Sequence, residues 1–304
     1  LSLEKSGKLN MKLRSKPVTV TAPGKLNLFL NILGKRHDGY HDLQTLFQLI
    51  DIGDDISFEV TEDNEILLSH HLVGIKNEDN LIVRSAQLLK KSANVKNGCY
   101  INLRKILPIG GGLGGGSSDA ATTLLTLNTL WGCNLSSDNL AILGASLGAD
   151  IPLFIRGQSS LGEGIGDKLT RFDIPKKWYL IVTPPVKISS AQIFSHPELT
   201  RNSPPIKMSA LTRDQDISAN LLKNDCQALV EEMFIEVGEV VRWLKNHAEP
   251  LLTGTGSSVF CSFNDRQQAE KILGKVPPKW AAFVAEGINH SPVHYQLGKL
   301  NIGA

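Results

Sequence analysis

The 304-residue sequence lacks several things, and each absence closes off a class of function. No apolar run approaches the ~18–20 residues a membrane-spanning helix needs, so no membrane role is expected. The net charge is only +2, far from the basic signature of bulk nucleic-acid binders, so nucleic acid is not an expected partner either. The four cysteines (Cys99, Cys133, Cys226, Cys261) stand far apart, with no pair at metal-finger or redox spacing. They read as reduced thiols, as in a cytoplasmic protein. The histidines contain no His-Glu-x-x-His pattern. His70 and His71 are adjacent and would point to opposite faces of a strand, so no histidine metal site is expected. No glycine loop ends in Gly-Lys-Ser/Thr, which excludes a Walker A nucleotide site. Neither His-Arg-Asp nor Asp-Phe-Gly occurs, which excludes a protein kinase.

The first sixteen residues hold five basic side chains against one acid, Glu4. They have neither the apolar core of a signal peptide nor the Ser/Arg richness of a transit peptide. Residues 1–17 therefore read as a frayed N-terminal extension, with Met11 a candidate native start. Beyond it the chain is long enough for one large domain or two medium ones. A boundary near residue 165 gives domains 18–165 and 166–304.

What is present in quantity is glycine, concentrated at one place. From Pro108 to Asp119 the chain reads Pro-Ile-Gly-Gly-Gly-Leu-Gly-Gly-Gly-Ser-Ser-Asp, six glycines and two serines in twelve residues. Glycine enters φ > 0 cheaply and lets a ligand approach the backbone. A helical pattern follows at once (Ala120, Leu124, Leu127, Trp131, then a stop at Gly132), with Ser117 or Ser118 the expected N-cap. The first turn of a helix has unpaired N–H groups and a partial positive charge, so loop and helix together make an anion cradle. Gly110, Gly112 and Gly115 fit G-x-G-x-x-G, but a dinucleotide fold needs a strand next, ending in an acid ~20 residues on. Here another helix start follows, at Ser136, and Asp138 belongs to that start.

Elsewhere, Pro17–Thr21 reads as a short strand. Leu26–Gly34 reads as a second, with Leu26, Leu28, Leu30 and Ile32 on one face and Asn27, Phe29 and Asn31 on the other. Further strands are expected at 55–61, 100–103, 178–183 and 259–263, the last after a second glycine turn, Thr253–Ser258. Asn80 caps a helix to about Ser92, and residues 220–248 read as mainly helical. Pro152 favours extended backbone just before it. Strands and helices are interleaved without strict alternation, which indicates an α+β fold.

Three separated motifs, Pro23-Gly-Lys-Leu-Asn27, the 108–119 run and Thr253-Gly-Thr-Gly-Ser-Ser258, resemble the GHMP small-molecule kinases. Within that superfamily Gly39-Tyr-His41, Leu43-Gln-Thr-Leu-Phe47 and Gly148-Ala-Asp-Ile-Pro152 resemble the 4-diphosphocytidyl-2-C-methyl-D-erythritol kinases, over about residues 18–270. The resemblance implies a two-domain α+β GHMP kinase fold with the active site in the inter-domain cleft. It implies ATP and Mg²⁺ as cofactors and phosphorylation of the 2-hydroxyl of a small molecule bearing a cytidine diphosphate group, in the non-mevalonate (MEP) isoprenoid pathway. A monomer or homodimer is expected.

Residue by residue, it implies that Asp150 takes the proton from the attacking hydroxyl, as a carboxylate in hydrogen-bond reach can. Lys25 would pair with Asp150 and favour the developing alkoxide. Nucleotide contacts fall on Pro108, Gly110, Gly111, Gly112, Leu113, Gly114, Gly115, Gly116, Ser117 and Ser118, with Asn80, Leu81 and Lys105 at the adenine side. Substrate contacts fall on Asn27, Tyr40, His41, Ser190, Phe194, Gly254, Thr255 and Gly256. Tyr40 and Phe194 would sandwich the base, with His41 reading its edge. The metal ligands are left open; Ser117, Ser118 and Asp119 are candidates. Two alternatives remain: a GHMP kinase for another small alcohol, such as homoserine or mevalonate, and a non-catalytic nucleotide-binding regulator.

Overall fold

The structure is a computed structural model and describes residues 16–69, 76–213, 216–217 and 221–301. His70, His71 and nearly all of the expected N-terminal extension lie outside the described residues. The chain opens on two long antiparallel strands, β1 (Val18–Lys35) and β2 (His41–Thr61). The sequence suggested two short strands in place of β1 and a β2 that began only at residue 55. β1 instead absorbs Pro23 and Gly24 at a register shift, and shifts again between Asn27 and Phe29 and between Ile32 and Gly34. Such bulges keep a strand paired past residues that would otherwise end it. They also reset the expected alternation: Lys25, Asn27 and Leu30 line one cavity, while Phe29 is fully buried.

β3 (Ile66–Leu68) lies parallel to the later strand β4 (Gly98–Arg104). Between them α1 (Leu81–Ser92) is capped as expected, with Asn80 Oδ1 accepting from Ile82 N at 2.9 Å. α2 (Gly115–Leu130) follows the glycine loop. Its N-cap is Gly114, not Ser117 or Ser118. Gly114 takes φ 71°, which turns the chain into the helix three residues early and leaves both serines inside the first turn. α3 (Ser137–Ala145) is capped by Ser136. α4 (Ile151–Arg156) corrects the expectation of extended backbone before Pro152: Asp150 is helical (φ −82°, ψ −11°), and Pro152 sits in the first turn, where no N–H is needed.

β5 (Ser160–Gly164), β6 (Lys168–Arg171) and β7 (Trp178–Thr183) follow, then the short α5 (Ser190–Ser195) and a two-residue pair, β8 (Thr212–Arg213) and β9 (Asp216–Ile217). The helix expected over 220–248 is two, α6 (Gln227–Met233) and α7 (Ile235–Lys245), parted where Phe234 becomes extended. β10 (Leu251–Leu252) and β11 (Val259–Phe263) flank the second glycine turn. α8 (Arg266–Leu273), β12 (Ala281–Ile288) and α9 (Pro292–Asn301) had no counterpart in the sequence reading.

Ten strands form one sheet along the path β10-β11-β7-β12-β2-β4-β3, with β1 and β5 also on β2 and β6 on β5. Apolar side chains gather in separate cores. One unites α1, α2, α4 and the outer end of β2, and takes in Val293 and Leu297 from α9. Another joins β7, β11, α6 and α7 with Leu30 and Ile32. A third takes Leu26, Leu28 and Phe29 from β1, with Leu46 and Ile50 of β2, Tyr179 and Ile181 of β7 and Phe260 of β11.

Candidate active site

The glycine loop and the second glycine turn lean on each other. Ser258 N donates to Gly111 O at 3.2 Å, and the Thr253 hydroxyl lies 3.3 Å from Gly112 O. At Gly112 (φ +76°) a Cβ would fall 2.2 Å from Thr253 O, so no side chain fits between the two turns. The loop lines a cavity of about 680 Å³, whose other walls include Lys76, Asn80, Leu81, Lys105 and Asp119. The backbone N–H groups of Gly115, Gly116 and Ser117 open α2 and have no intrahelical acceptor, as at any helix start. Ser117 lines the cavity, whereas Ser118 is fully buried and its hydroxyl has no partner.

Beneath the loop lies an ion cluster that the sequence reading missed. Asp54, fully buried near the end of β2's pairing with β1, accepts from Ile106 N (2.6 Å), Leu107 N (2.9 Å) and Lys105 Nζ (2.6 Å). Lys105 Nζ also reaches Asp119 Oδ2 at 3.0 Å. Two carboxylates thus share one ammonium. Burial pushes the Asp119 carboxyl well above the usual carboxylate range, Lys105 opposes that, and Asp54 adds to it. Lys105, expected simply at the adenine side, is also the bridge of this cluster.

A second cavity, about 380 Å³, shares Gly112, Gly114 and Ser117 with the first. Lys25 and Asp150 both line it. Lys25 is held from both ends: its N–H donates to Leu113 O at 2.9 Å, and Nζ donates to Asn27 Oδ1 at 2.6 Å. Nζ stands 3.6 Å from Asp150 Oδ2. Asp150 precedes α4, yet its side chain makes no capping bond. The carboxylate is thus left for the cavity, where a third of it is exposed. Asn27 Nδ2 donates to Thr45 Oγ1 (2.8 Å), and Asn27 N donates to Thr253 Oγ1 (3.1 Å). Ser190 and Thr255, hydroxyl to hydroxyl at 2.8 Å, close the far wall beside Gly254. Gly256 lies off this wall and packs toward Ile188 and Leu252.

A third cavity, about 510 Å³, shares Leu43, Ala149, Ile165 and Phe194 with the second. Tyr40, 60% exposed, stands on its rim. His41 stacks on Phe194 with ring centroids 5.4 Å apart and planes at 29°. Its Nε2 accepts from Arg201 Nε at 3.0 Å, so the ring proton sits on Nδ1. Burial, then the Arg201 and Lys35 charges, hold the imidazole below its usual value. Arg201 was not anticipated; it is fixed by the carbonyls of Phe194, His196, Pro197 and Leu199. The sequence offers no signal for it, because its role comes from a loop folding back on residue 41.

Among the described residues no group of three or more His, Cys, Asp or Glu could hold a metal ion, and no helix is long and apolar enough to cross a membrane. The four cysteines are unpaired; burial pushes Cys99, Cys226 and Cys261 up to about 12.

Residues 80–158 match the family described as GHMP kinases N terminal domain. The 4-diphosphocytidyl-2-C-methyl-D-erythritol kinase of Pasteurella multocida is 46% identical over 288 residues, which is 95% of this chain and 96% of that protein. The enzyme of the same name from Pseudomonas aeruginosa (strain LESB58) is 47% identical over 283 residues, 93% of this chain and 98% of that one. A crystal structure of 4-(cytidine 5'-diphospho)-2C-methyl-D-erythritol kinase superposes with a TM-score of 0.78 at 27% identity, covering 90% of this chain and all of that one. The Methanococcus jannaschii mevalonate kinase, at 16% identity and a TM-score of 0.63 over 91% of this chain, shares the fold. With a glycine cradle leading into a Lys–Asp cavity, and with relatives of this closeness along nearly its whole length, the chain belongs to the 4-diphosphocytidyl-2-C-methyl-D-erythritol kinase family of ATP-dependent GHMP kinases.

Proposed function

We propose that the chain transfers the γ-phosphoryl group of ATP to the 2-hydroxyl of 4-diphosphocytidyl-2-C-methyl-D-erythritol, a step of the non-mevalonate route to isoprenoid precursors. One observation carries the reading: three cavities in a row share walls, with Lys25 and Asp150 in the middle one. The first suits a nucleotide, because its floor is backbone N–H at a helix start. The third suits a flat base, because it offers aromatic faces (Tyr40, Phe194) and an Nδ1–H donor on His41. The middle one is where phosphate and hydroxyl would meet.

Asp150 Oδ2 is the base in this reading. It stands beyond direct hydrogen-bond range of Lys25, which leaves that oxygen for the hydroxyl proton. Lys25, tethered to Asn27, offsets the charge that develops on the attacking oxygen. The loop amides hold the β- and γ-phosphates, and positioning of this kind supplies most of the catalysis in phosphoryl transfer. Mg²⁺ fits the donor set at the first cavity, since it takes one or two protein oxygens and completes its shell with phosphates and water. Asp119, whose Oδ1 is buried without a partner, and Ser117 are the residues that would hold it; bound there, it would neutralise phosphate charge. A domain boundary near residue 165 remains part of this reading: the first core draws mainly on residues before it and the second mainly on residues after it, while a third core draws on both sides. The absence of any paired cysteine suits a cytoplasmic location.

The test is a kinase assay offering the cytidyl acceptor, homoserine and mevalonate in parallel. ATP-dependent product is expected with the cytidyl acceptor alone; comparable turnover of either small acid overturns the substrate reading.

A further inference from the structure

We infer that Thr45 is a positioning residue: its hydroxyl sets the direction of the Asn27 amide and so fixes Lys25 in front of Asp150. The inference rests on the reading of Lys25 and Asp150 given above.

Thr45 lies on β2, beside the stretch of β1 where the register shifts between Asn27 and Phe29. It is 1% exposed. A threonine hydroxyl has one hydrogen to give. Thr45 Oγ1 is 2.6 Å from Phe29 O, a carbonyl that can only accept, so the hydrogen goes there. What remains on Oγ1 is acceptor capacity, and Asn27 Nδ2 fills it at 2.8 Å. An amide whose nitrogen faces Thr45 has its oxygen on the opposite side, where Lys25 Nζ donates at 2.6 Å. The polarity therefore runs one way, from Lys25 through Asn27 and Thr45 to the Phe29 carbonyl. The flipped amide would set an NH₂ against an ammonium and an oxygen against a hydroxyl that has no hydrogen left to offer. Both mismatches would be buried, where an unmade hydrogen bond is costly. Thr253 supports the same orientation from the second glycine turn, with its hydroxyl 3.4 Å from Asn27 Oδ1, but it has an alternative acceptor in Gly112 O. Of the two threonines only Thr45 has its hydrogen committed, so it fixes the amide nitrogen while the Lys25 ammonium takes the oxygen.

The experiment compares Thr45→Val, which keeps the shape and removes the hydroxyl, with Thr45→Ser, which keeps the hydroxyl. Each is also made in an Asn27→Ala background, and Asp150→Asn serves as the control for the base. Thr45→Val should lower kcat by ~10-fold with the KM for ATP little changed, the size expected when one buried hydrogen bond loses its partner. Thr45→Ser should restore most of that loss. In the Asn27→Ala background Thr45→Val should cost nothing further, because the two residues act through one amide. Wild-type kcat in Thr45→Val, or a loss that simply adds to that of Asn27→Ala, overturns the inference while leaving the base assignment standing if Asp150→Asn is inactive. Full turnover by Asp150→Asn overturns the base assignment and the inference with it. Thermal melting accompanies each variant. Should Thr45→Val fail to fold, Thr45→Cys, with its weak S–H donor, is read by the same criteria.

Discussion

The two ends of the cleft are built on opposite plans. On the side proposed for the nucleotide the glycine loop offers backbone from Gly110 to Ser117, flanked by Asn80, Leu81, Lys105 and Asp119 and braced from below by Asp54. On the side proposed for the acceptor, side chains carry the chemistry: Asp150, Lys25 and Asn27, then Tyr40, His41 and Phe194. A phosphate chain is the same in every nucleotide, so amide donors at a helix start suffice and glycine is the residue that exposes them. A cytidyl acceptor must be told from other alcohols, and only side chains differ enough to do that. The nucleotide side should therefore fail by losing its support, and the acceptor side by losing individual contacts.

The sharpest test of that contrast is Asp54, which touches no ligand cavity. Asp54→Ala strands the amides of residues 106 and 107 and leaves Lys105 to Asp119 alone, and should cost about 2–5 kcal/mol of stability in urea unfolding, as two buried donors without an acceptor do. A loss under about 1 kcal/mol would break the comparison, since such a value belongs to surface pairs. Asp150→Ala should do the reverse. It should lower turnover at least ~10²-fold with nucleotide affinity by calorimetry and melting temperature nearly unchanged. Tyr40→Ala should be milder, raising the KM for the cytidyl acceptor by roughly 1–3 kcal/mol of lost stacking and leaving the KM for ATP alone. An unchanged acceptor KM removes Tyr40 from the base slot.

The smallest effect concerns pH. His41 is held below its usual value, so the unfolded chain takes up a proton before the folded one does. Stability should therefore fall slightly as pH drops below the ordinary imidazole value of ~6.5, and be flat above it. Protonation would also put a cation against Arg201 and break the Arg201–His41 bond. The melting-temperature difference between wild type and His41→Asn, followed from pH 8 down to 5, isolates this contribution. No pH dependence in that difference would mean the ring is not shielded.

The same contrast explains what the sequence could tell. Glycine spacing is local, so the cradle, the turn at 253–258, and the caps at Asn80 and Ser136 were all legible. Even there Gly114 displaced the serines as cap, because a left-handed glycine can start a helix without a side-chain bond. β1 was misread as two strands because bulges leave no local mark that distinguishes them from breaks. The roles of Asp54, Thr45 and Arg201 were invisible for a different reason. Their partners lie 51, 18 and 160 positions away, and nothing in a single chain's residue order encodes such meetings.

The return of the chain at its far end has a consequence for synthesis. β12 pairs with β2, α9 drops Val293 and Leu297 into the first core, and Gln296 Oε1 accepts from Thr21 N at 3.0 Å. The core beside the glycine loop thus draws on early residues but also needs Val293 and Leu297. Until residues 281–301 have cleared the ribosome, the edge of β7 that β12 covers stays open along six residues, and that core lacks Val293 and Leu297. An exposed strand edge of this kind is an aggregation hazard until β12 pairs with it.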